Sequence, residues 1–480
     1  MAIKTGAEYV ESLRQLKPKV YALGREVKSV ADDPVFHGAI NRNRAFYDLP
    51  RDPELGETIR AVSPLINEEV SRRGNYIQQT MEDSFIEARL TRPLVHRYIC
   101  AACNNASSVL WAQTWEIDQD IGTNYHQRFR EWFKYMQKND LRSAWGMMDV
   151  KGDRSLRPKD QADPYLYLKI VERKSNGIVV RGAKAHTTMG PCQHEIMVTN
   201  SRAMAEGEED YAVSFAIPID SPGLTFIARP YVTPTEPKDM ERPFSCEFGE
   251  VVSLSIFEDV FVPWERVFLC GEWQAAGRSP ALWSGIHRRS KSAGCGAGRI
   301  DIMVGAAALI AQYNGLERVS HIREKLTDMM VTAETAFGCA IGATADGSLH
   351  PSGIWMPNPA VANAGCYYAR TRFPEFVGFL YDIAGGLAVT LPTEADYKNP
   401  ATSGYIERYL KGKADVPTEH RLRAFRLIKE LVGSEYTGYL MGSVLCAAGT
   451  PGTNRMEVYR RYDLEAARNV AKRLAKIPLK

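Results

Sequence analysis

The feature that most constrains this fold is the order in which the spacing of apolar residues changes along the chain. Apolar positions recur at helical spacing up to about residue 145, alternate through the middle, and return to helical spacing from about residue 285. With 480 residues, the chain exceeds what one hydrophobic core usually fills, so several packed units are expected. We predict an α+β protein with an N-terminal helical domain at 1–144, a β domain at 145–276 and a C-terminal helical bundle at 277–480.

Several short patterns predict individual elements within these regions. Thr5 and Glu8 are spaced as a capping box at the start of a helix. The segment 123–138 carries one apolar stripe, formed by Phe129, Trp132, Phe133 and Met136. Asn176-Gly177 predicts a tight hairpin turn, because both residues tolerate positive backbone φ. Strand patterns at 211–219, 224–230 and 251–263 extend this into an antiparallel sheet, closed as a barrel or packed as a sandwich.

Charge and cysteine content limit the classes of partner and the compartment. The chain has 60 basic and 57 acidic side chains, a net charge of +3, which gives no electrostatic reason to expect nucleic acid as a partner. The N-terminus lacks the apolar core of a signal peptide, and no apolar stretch predicts a membrane span. Nine scattered cysteines are typical of reduced thiols. We expect a cytoplasmic protein with no membrane partner.

The segment 287–301, HRRSKSAGCGAGRID, raises two chemical readings. Its glycines at 294, 296 and 298 superficially match a dinucleotide-binding loop. That loop needs a buried strand before it and a further βαβ unit after it, and the sequence predicts neither. We therefore expect these glycines to thin a helix surface or to admit a ligand close to the backbone.

The second reading of the same segment is a metal site. His287 and Cys295 lie near each other in sequence, and Cys100 and Cys103 share a face if their segment is helical. Three thiolates and an imidazole are suited to an iron–sulfur cluster. The alternative is that the cysteines are buried structural thiols, which are common.

Four longer stretches resemble a known family. GDRSLRP, GIVVRGAKAHTT, DYAVSFAIP and DIAGGLAVTLPTEADY are similar to segments of the flavoproteins grouped with 4-hydroxyphenylacetate 3-monooxygenase and 4-hydroxybutyryl-CoA dehydratase. The similarity covers nearly the whole chain. It implies an acyl-CoA-dehydrogenase-like fold, with an N-terminal helical domain, a central antiparallel β-barrel and a C-terminal helical bundle that builds a homotetramer.

The resemblance also implies FAD, held in a cleft between the β domain and the helical bundles. Thr187 and Thr188 would bond the flavin ring edge, and Lys151 and Arg154 would offset the pyrophosphate charge. The complete set of residues expected to bind the cofactor comprises Trp145, Met147, Asp149, Lys151, Arg154, His186, Thr187, Thr188, Gly385 and Gly386.

The chain departs from the dehydratase branch, which holds a [4Fe-4S] cluster by three cysteines and a histidine beside FAD. The candidate ligands Cys100, Cys103, His287 and Cys295 are present, but both spacings differ by one residue from the family pattern. One extra residue turns a regular helix by about 100°, unless a π-bulge absorbs it. The tyrosine and lysine that flank the dehydratase cysteine are replaced by Lys291 and Gly296, and a glutamate is replaced by Val252.

The chain departs from the phenol-hydroxylating branch as well. The positions of that branch's substrate-binding histidine, arginine and tyrosine align with Trp145, Ala102 and Ala106. Arg97, Asn104 and Asn105 lie nearby and could reshape the pocket, although helix-surface or packing roles are equally open. We therefore expect a substrate other than 4-hydroxyphenylacetate.

From the resemblance, we expect the oxygenase component of a two-component FAD-dependent monooxygenase. A separate NAD(P)H-dependent flavin reductase would supply reduced FAD, and an electron-rich aromatic or N-heteroaromatic molecule would be hydroxylated through a flavin C4a-hydroperoxide. The expected catalytic residues are His287 for acid–base chemistry or substrate contact, Thr188 as a donor near the flavin, and Arg97. Two alternatives remain open: an FAD- and [4Fe-4S]-dependent hydroxyacyl-CoA dehydratase or isomerase, and a non-catalytic scaffold of the same fold.

Overall fold

A computed structural model describes residues 3–100, 105–231, 240–447 and 449–478. The N-terminal region is mainly helical. Its helices are α1 (Gly6–Arg14), α2 (His37–Asp48), α3 (Gly56–Ile59), α4 (Arg72–Asn75), α5 (Met81–Tyr98), α6 (Ala106–Ile121) and α7 (Tyr125–Lys138). Its strands are β1 (Lys19–Ala22), β2 (Arg25–Val27), β3 (Arg60–Ser63) and β4 (Glu68–Ser71).

Two predictions for this region are confirmed. Thr5 caps α1 in a complete capping box with Glu8. The apolar stripe of α7 is buried, with Phe129 and Phe133 stacked at a centroid distance of 5.9 Å.

The middle of the chain forms two sheets. Their strands are β5 (Ser143–Gly146), β6 (Lys169–Lys174), β7 (Gly177–Thr188), β8 (Glu195–Val198), β9 (Val213–Pro218), β10 (Leu224–Pro230), β11 (Val251–Pro263) and β12 (Val267–Cys270). One sheet has the order β2-β1-β10-β11-β7-β6, and the other has the order β12-β9-β8-β5. The predicted hairpin is confirmed, because Lys174 of β6 pairs with Gly177 of β7 across the Asn176 turn.

The expected closed antiparallel barrel is not what the described residues form. Each sheet contains one parallel pair, β1 with β10 and β5 with β8, and no ladder joins the edges of the two sheets. Side chains from both sheets instead share one core, in which Phe226 and Phe257 meet Ile196 and Phe215. The architecture is therefore a two-sheet sandwich within a mixed α+β fold, and the N-terminal strands β1 and β2 extend it.

The C-terminal region is a helical bundle. It contains α8 (Arg278–Ser290), a π-helix (Lys291–Gly298), α9 (Arg299–Tyr313), α10 (Ser320–Ala345), β13 (Ser348–Leu349), β14 (Trp355–Met356), α11 (Pro359–Ala384), α12 (Leu387–Thr390), α13 (Glu394–Lys398), α14 (Ser403–Tyr409), α15 (Thr418–Val432), α16 (Glu435–Cys446), α17 (Pro451–Arg461) and α18 (Leu464–Leu474). Small residues such as Ala307, Ala336 and Ala369 let its central helices approach closely.

One helical run among the described residues, Trp273–Tyr313, is long and apolar enough to pass as a membrane span by length and composition. The sequence patterns predicted no such span. Of its most apolar window, 67% is buried inside the fold, which is the pattern of a core helix.

Candidate functional site

The site is organised by a π-helix between His287 and Cys295. These residues lie eight apart, a separation that an unbroken α-helix would turn away from one face. The π-helix Lys291–Gly298 lies between them, and each π turn takes about one residue more than an α turn. Both residues consequently lie near the same two cations: Lys291 and Arg370 line a niche with Cys295, and both lower the pKa of His287.

The glycines of this segment bring neighbouring helices close, as predicted. A methyl group on Gly294 would lie 2.8 Å from Cβ of Thr91, and one on Gly298 would lie 3.0 Å from Cβ of Val95, both on α5. The stretch is therefore a buried packing surface and carries no phosphate loop.

His287 is fully enclosed by aromatic and polar neighbours. Its ring stacks on Trp283 at a centroid distance of 3.6 Å, and Trp283 meets Trp145 of β5 edge-on at 4.3 Å. Asn105 Nδ2 donates to Nδ1 of His287 at 3.3 Å and to Ser290 Oγ at 3.1 Å. Burial, reinforced by the surrounding cations, holds the pKa of His287 well below its usual range, so the imidazole is neutral. A neutral ring that accepts at Nδ1 carries its proton at Nε2.

A small niche opens beside this histidine. It is lined by Lys291, Cys295, Arg370, Phe373, Ser443 and Val444 and has a volume of about 10 Å³. Arg370 donates to the carbonyls of Ala447 and Gly449 and to Asn454 Oδ1, so its guanidinium also ties α11 to the start of α17.

The candidate cluster ligands are only partly brought together. No group of three His, Cys, Asp or Glu side chains among the described residues is arranged to hold a metal ion, and Cys103, with Ala102 and Asn104, lies outside those residues. Cys100 and Cys295 both lie near Arg299, whose pKa they raise. Within the described chain, Nε and Nη1 of this buried guanidinium have no hydrogen-bond partner. The described part of the chain therefore supplies no complete ligand set for an iron–sulfur cluster, and one candidate ligand, Cys103, lies outside it.

The end of β7 presents the predicted flavin-edge residues. Thr188 and His186 are exposed, and His186 has a positive φ of 57°. Thr187 is buried, and its hydroxyl accepts from Ser255 Oγ at 2.9 Å. The hydroxyl of Thr188 is thus the one of the pair that faces outward.

In the segment after β5, some charged side chains are buried in internal contacts and others remain accessible. Asp149 is buried in an ion pair with Lys184 at 2.5 Å and accepts from Ser201 Oγ at 2.5 Å. Met147 contributes its carbonyl to the same lysine at 3.4 Å. Lys151 is half-buried with a positive φ of 82°, and its pKa is lowered by burial and by the nearby cations Arg154 and Arg202.

Three predicted residues lie elsewhere. Arg97 forms ion pairs with Asp52 at 2.6 Å and with Glu54. Its charge is therefore engaged within the N-terminal region. Gly385 and Gly386 end α11 on the exposed surface, and a methyl group on either would meet nothing within 4 Å.

Sequence reasoning missed Trp283 and Arg370. Trp283 and His287 are four residues apart on α8, so helical periodicity alone could have added Trp283 to the site. Arg370 lies on α11, and no local signal connects it to His287.

Comparison with known proteins covers almost the entire chain. Residues 5–269 match the family model described as 4-hydroxyphenylacetate 3-hydroxylase N terminal, and residues 281–476 match the corresponding C-terminal model. The chain is 36% identical to a 4-hydroxybutyryl-CoA dehydratase/vinylacetyl-CoA-Delta-isomerase from Clostridium aminobutyricum, covering 99% of this chain and 100% of that protein. It is 26% identical to a 4-hydroxyphenylacetate 3-monooxygenase oxygenase component from Thermus thermophilus, covering 90% and 89%.

Solved structures show the same two similarities. An oxygen-tolerant archaeal 4-hydroxybutyryl-CoA dehydratase from N. maritimus superposes with a TM-score of 0.93 at 34% identity, covering 100% of this chain and 96% of that one. The oxygenase component of 4-hydroxyphenylacetate 3-monooxygenase, complexed with FAD and 4-hydroxyphenylacetate, superposes with a TM-score of 0.88 at 25% identity, covering 98% of each chain.

Proposed function

The chain belongs to the 4-hydroxyphenylacetate 3-hydroxylase family, and on that premise we propose that it is the oxygenase component of an FAD-dependent monooxygenase. Its substrate is an electron-rich aromatic or N-heteroaromatic small molecule, and reduced FAD comes from a separate NAD(P)H-dependent reductase. The observation that carries the proposal is the neutral His287, which stacks on Trp283, with Trp145 edge-on to that indole, between the sandwich and the bundle.

The residues on the exposed edge of the sandwich fit FAD. Lys151, Arg154 and Arg202 gather positive charge, which suits a diphosphate. Thr188, at the end of β7, is exposed, and its hydroxyl can bond a polar ring edge. When bound, reduced FAD supplies the activation of dioxygen that aromatic hydroxylation requires.

The chain's own residues give this site its dryness and its proton chemistry. Two indoles and a buried imidazole form an apolar wall that keeps water from the reacting centre. Because His287 is neutral and accepts from Asn105 at Nδ1, its Nε2–H can donate to a substrate oxygen. The hydrogen bond from Asn105 to Nδ1 holds the ring in one orientation. Asn105 therefore fixes which ring nitrogen of His287 carries the proton.

A hydroxyacyl-CoA dehydratase or isomerase is the second candidate. Two observations favour it: the 36% identity to the clostridial enzyme, and the π-helix that restores His287 and Cys295 to one side of the helix. We rank it second because no group of three His, Cys, Asp or Glu side chains among the described residues is arranged to hold a metal ion, while Cys103 lies outside those residues.

An anaerobic titration separates the two candidates. Protein titrated with reduced FAD and then exposed to air, with a panel of phenols and hydroxylated N-heteroaromatics, should consume oxygen and form a hydroxylated product. The His287→Asn variant should bind reduced FAD like the parent and lose product formation. Oxygen-independent conversion of a hydroxyacyl-CoA by the parent protein would instead establish the second candidate.

We also propose that the chain assembles as a homotetramer through its C-terminal helices. No residue of α18 is buried, although Val470 and Leu474 are large apolar side chains, 45% and 81% exposed. Exposed apolar faces of this kind support association with another surface. Sedimentation equilibrium of the parent and a Val470→Lys/Leu474→Lys variant tests this, and an unchanged monomer in both would refute it.

A further inference from the structure

One buried N–H of the aromatic stack has no acceptor. Nε1 of Trp283 is buried and has no hydrogen-bond partner among the described residues. Five other indole N–H groups each donate to an acceptor, and they belong to Trp111, Trp132, Trp145, Trp264 and Trp355. Since buried indole N–H groups are normally paired, the unpaired one on Trp283 favours an acceptor supplied by a ligand.

The neighbouring indole has no donor to offer. Trp145, which meets Trp283 edge-on at 4.3 Å, donates its Nε1–H to Thr199 Oγ1 at 2.9 Å. Thr199 is itself buried, and its carbonyl accepts from Lys184 Nζ at 2.9 Å, which holds this acceptor in place. Of the two indoles, Trp283 is therefore the one that can bond a ligand through its N–H.

A planar ligand can reach the stack. Trp145 and Trp283 are both half-buried, so parts of their rings remain accessible although Nε1 of Trp283 is not. Aromatic rings pack well against indole surfaces. His287 lies against Trp283 with ring centroids 3.6 Å apart, so a ring held by the indole N–H lies close to the imidazole that is expected to act on it.

The chemistry of this donor limits its ligand. An indole N–H donates only and carries no charge, so it is matched by an acceptor that needs no counter-ion, such as a ring nitrogen or a carbonyl oxygen. A ring that offers only C–H groups at this place would leave the buried N–H unpaired, and such a site disfavours that ring. Selectivity then follows from the presence of the acceptor and not from its charge.

We propose that Nε1–H of Trp283 donates to an uncharged acceptor on the substrate, a ring nitrogen or a carbonyl oxygen, and so selects an N-heteroaromatic or aryl-carbonyl molecule over a hydrocarbon ring of the same shape. The inference rests on the proposed function for the identity of the ligand as a substrate, whereas recognition of the acceptor can be tested without FAD. It makes Trp283 a specificity-determining residue.

The test compares rings that carry an acceptor with hydrocarbons of matched shape. Pyridine is paired with benzene and acetophenone with cumene, in mildly alkaline buffer where pyridine is uncharged. Their affinities, from saturation-transfer NMR, and the indole N–H resonances of tryptophan-labelled protein are measured on the parent, Trp283→Phe and Trp264→Phe. Trp264 is the matched control, because its N–H already donates to the carbonyl of Ser175.

We expect the parent to bind each acceptor-bearing ring roughly fivefold more tightly than its hydrocarbon match, the effect of one neutral hydrogen bond. The indole resonance that Trp283→Phe removes should move with pyridine or acetophenone and stay in place with benzene and cumene. Trp283→Phe should lose the preference, and Trp264→Phe should keep it. The parent's resonances and affinities remain decisive if Trp283→Phe is poorly folded.

The two pairs distinguish the sources of the acceptor: preference for pyridine alone identifies a ring nitrogen, and preference for acetophenone alone identifies a carbonyl. Absence of any preference in the parent, or the same preference in Trp283→Phe, would overturn the inference. A Trp283 resonance that moves when reduced FAD binds and then ignores all four rings would also overturn it, by assigning the donor to the flavin. A retained preference, with no hydroxylation of any acceptor-bearing ring by protein loaded with reduced FAD in air, would refute the proposed function and leave the inference standing.

Discussion

The imidazole of His287 lies flat on the indole of Trp283, with ring centroids 3.6 Å apart and planes inclined by 11°. The contact spans one turn of α8 and removes the imidazole from water. It explains why a histidine placed among basic side chains stays neutral: burial is the largest cause of its lowered pKa, and the cations act in the same direction.

We expect His287 to remain uncharged across the physiological range. NMR of selectively labelled histidine should show that the imidazole signal removed by His287→Asn does not titrate between about pH 8 and about pH 5.5, a behaviour it shares with His126 and His194, whose pKa values burial also lowers. Trp283→Ala should admit water and move the pKa of His287 upward. A titrating His287 in the parent protein would contradict the buried, neutral assignment.

The stability of the chain should fall on mild acidification because of His194. Burial lowers the pKa of His194 from 6.5 to about 3, and its ring contacts Ser12 Oγ at 2.8 Å. As the pH falls below about 6.5, His194 is protonated in the unfolded chain but not in the folded one. Stability is therefore lost progressively from that pH down to about 3. From about pH 7.5 to about pH 5, this one group should cost about 2 kcal/mol.

Urea unfolding of the parent and His194→Asn at the two pH values measures this contribution. The variant should lose about 2 kcal/mol less than the parent on acidification, whereas the exposed control His37→Asn should behave like the parent. Equal losses in the parent and His194→Asn would show that His194 is not the group responsible.

The buried pair Lys184–Asp149 should be indispensable to the sandwich. The two side chains are 2% and 4% exposed, so Lys184→Met leaves a carboxylate buried without its cation and should cost about 3–5 kcal/mol of unfolding free energy. Replacing both residues, as Lys184→Met/Asp149→Leu, should recover part of that loss. Arg181→Met, which breaks the exposed pair with Asp259, should cost less than about 1 kcal/mol; a similar cost for both single variants would contradict the argument.

Two glycines of one helical run should respond in opposite directions to alanine. Gly294→Ala drives a methyl group against Thr91 of α5 and should destabilise the chain by about 1–3 kcal/mol. Gly305→Ala meets nothing within 4 Å and should stabilise the helix by up to about 1 kcal/mol. Thermal unfolding compares them, and a stabilising Gly294→Ala would show that α5 is not packed tightly here.

The sequence predicts structural features that depend on neighbouring residues, and it fails to predict those set by contacts between distant segments. The Thr5 cap and the hairpin follow from local chemistry and are confirmed, although the hairpin loop is 175–176, and Gly177 begins β7 without the positive φ expected of it. The parallel pairing of β1 with β10 joins residues about two hundred positions apart, and no periodicity encodes it, so the predicted barrel missed the N-terminal strands.

The same limit applies to the site. The wrong spacing of His287 and Cys295 was visible in the sequence, but only the structure shows that a π-helix absorbs the extra residue. Arg97 was expected to be catalytic because of its place in the chain, yet the acidic residues that engage it, Asp52 and Glu54, come from another segment.

Cofactor analysis of protein isolated without oxygen shows whether a flavin, and no inorganic centre, serves this site. Protein purified under nitrogen, supplied with iron and sulfide, loaded with reduced FAD and desalted should contain about one FAD per chain and no more iron than a His287→Asn/Cys295→Ser control. About four iron atoms and four acid-labile sulfides per chain, lost in that control, would contradict the account and establish a [4Fe-4S] cluster.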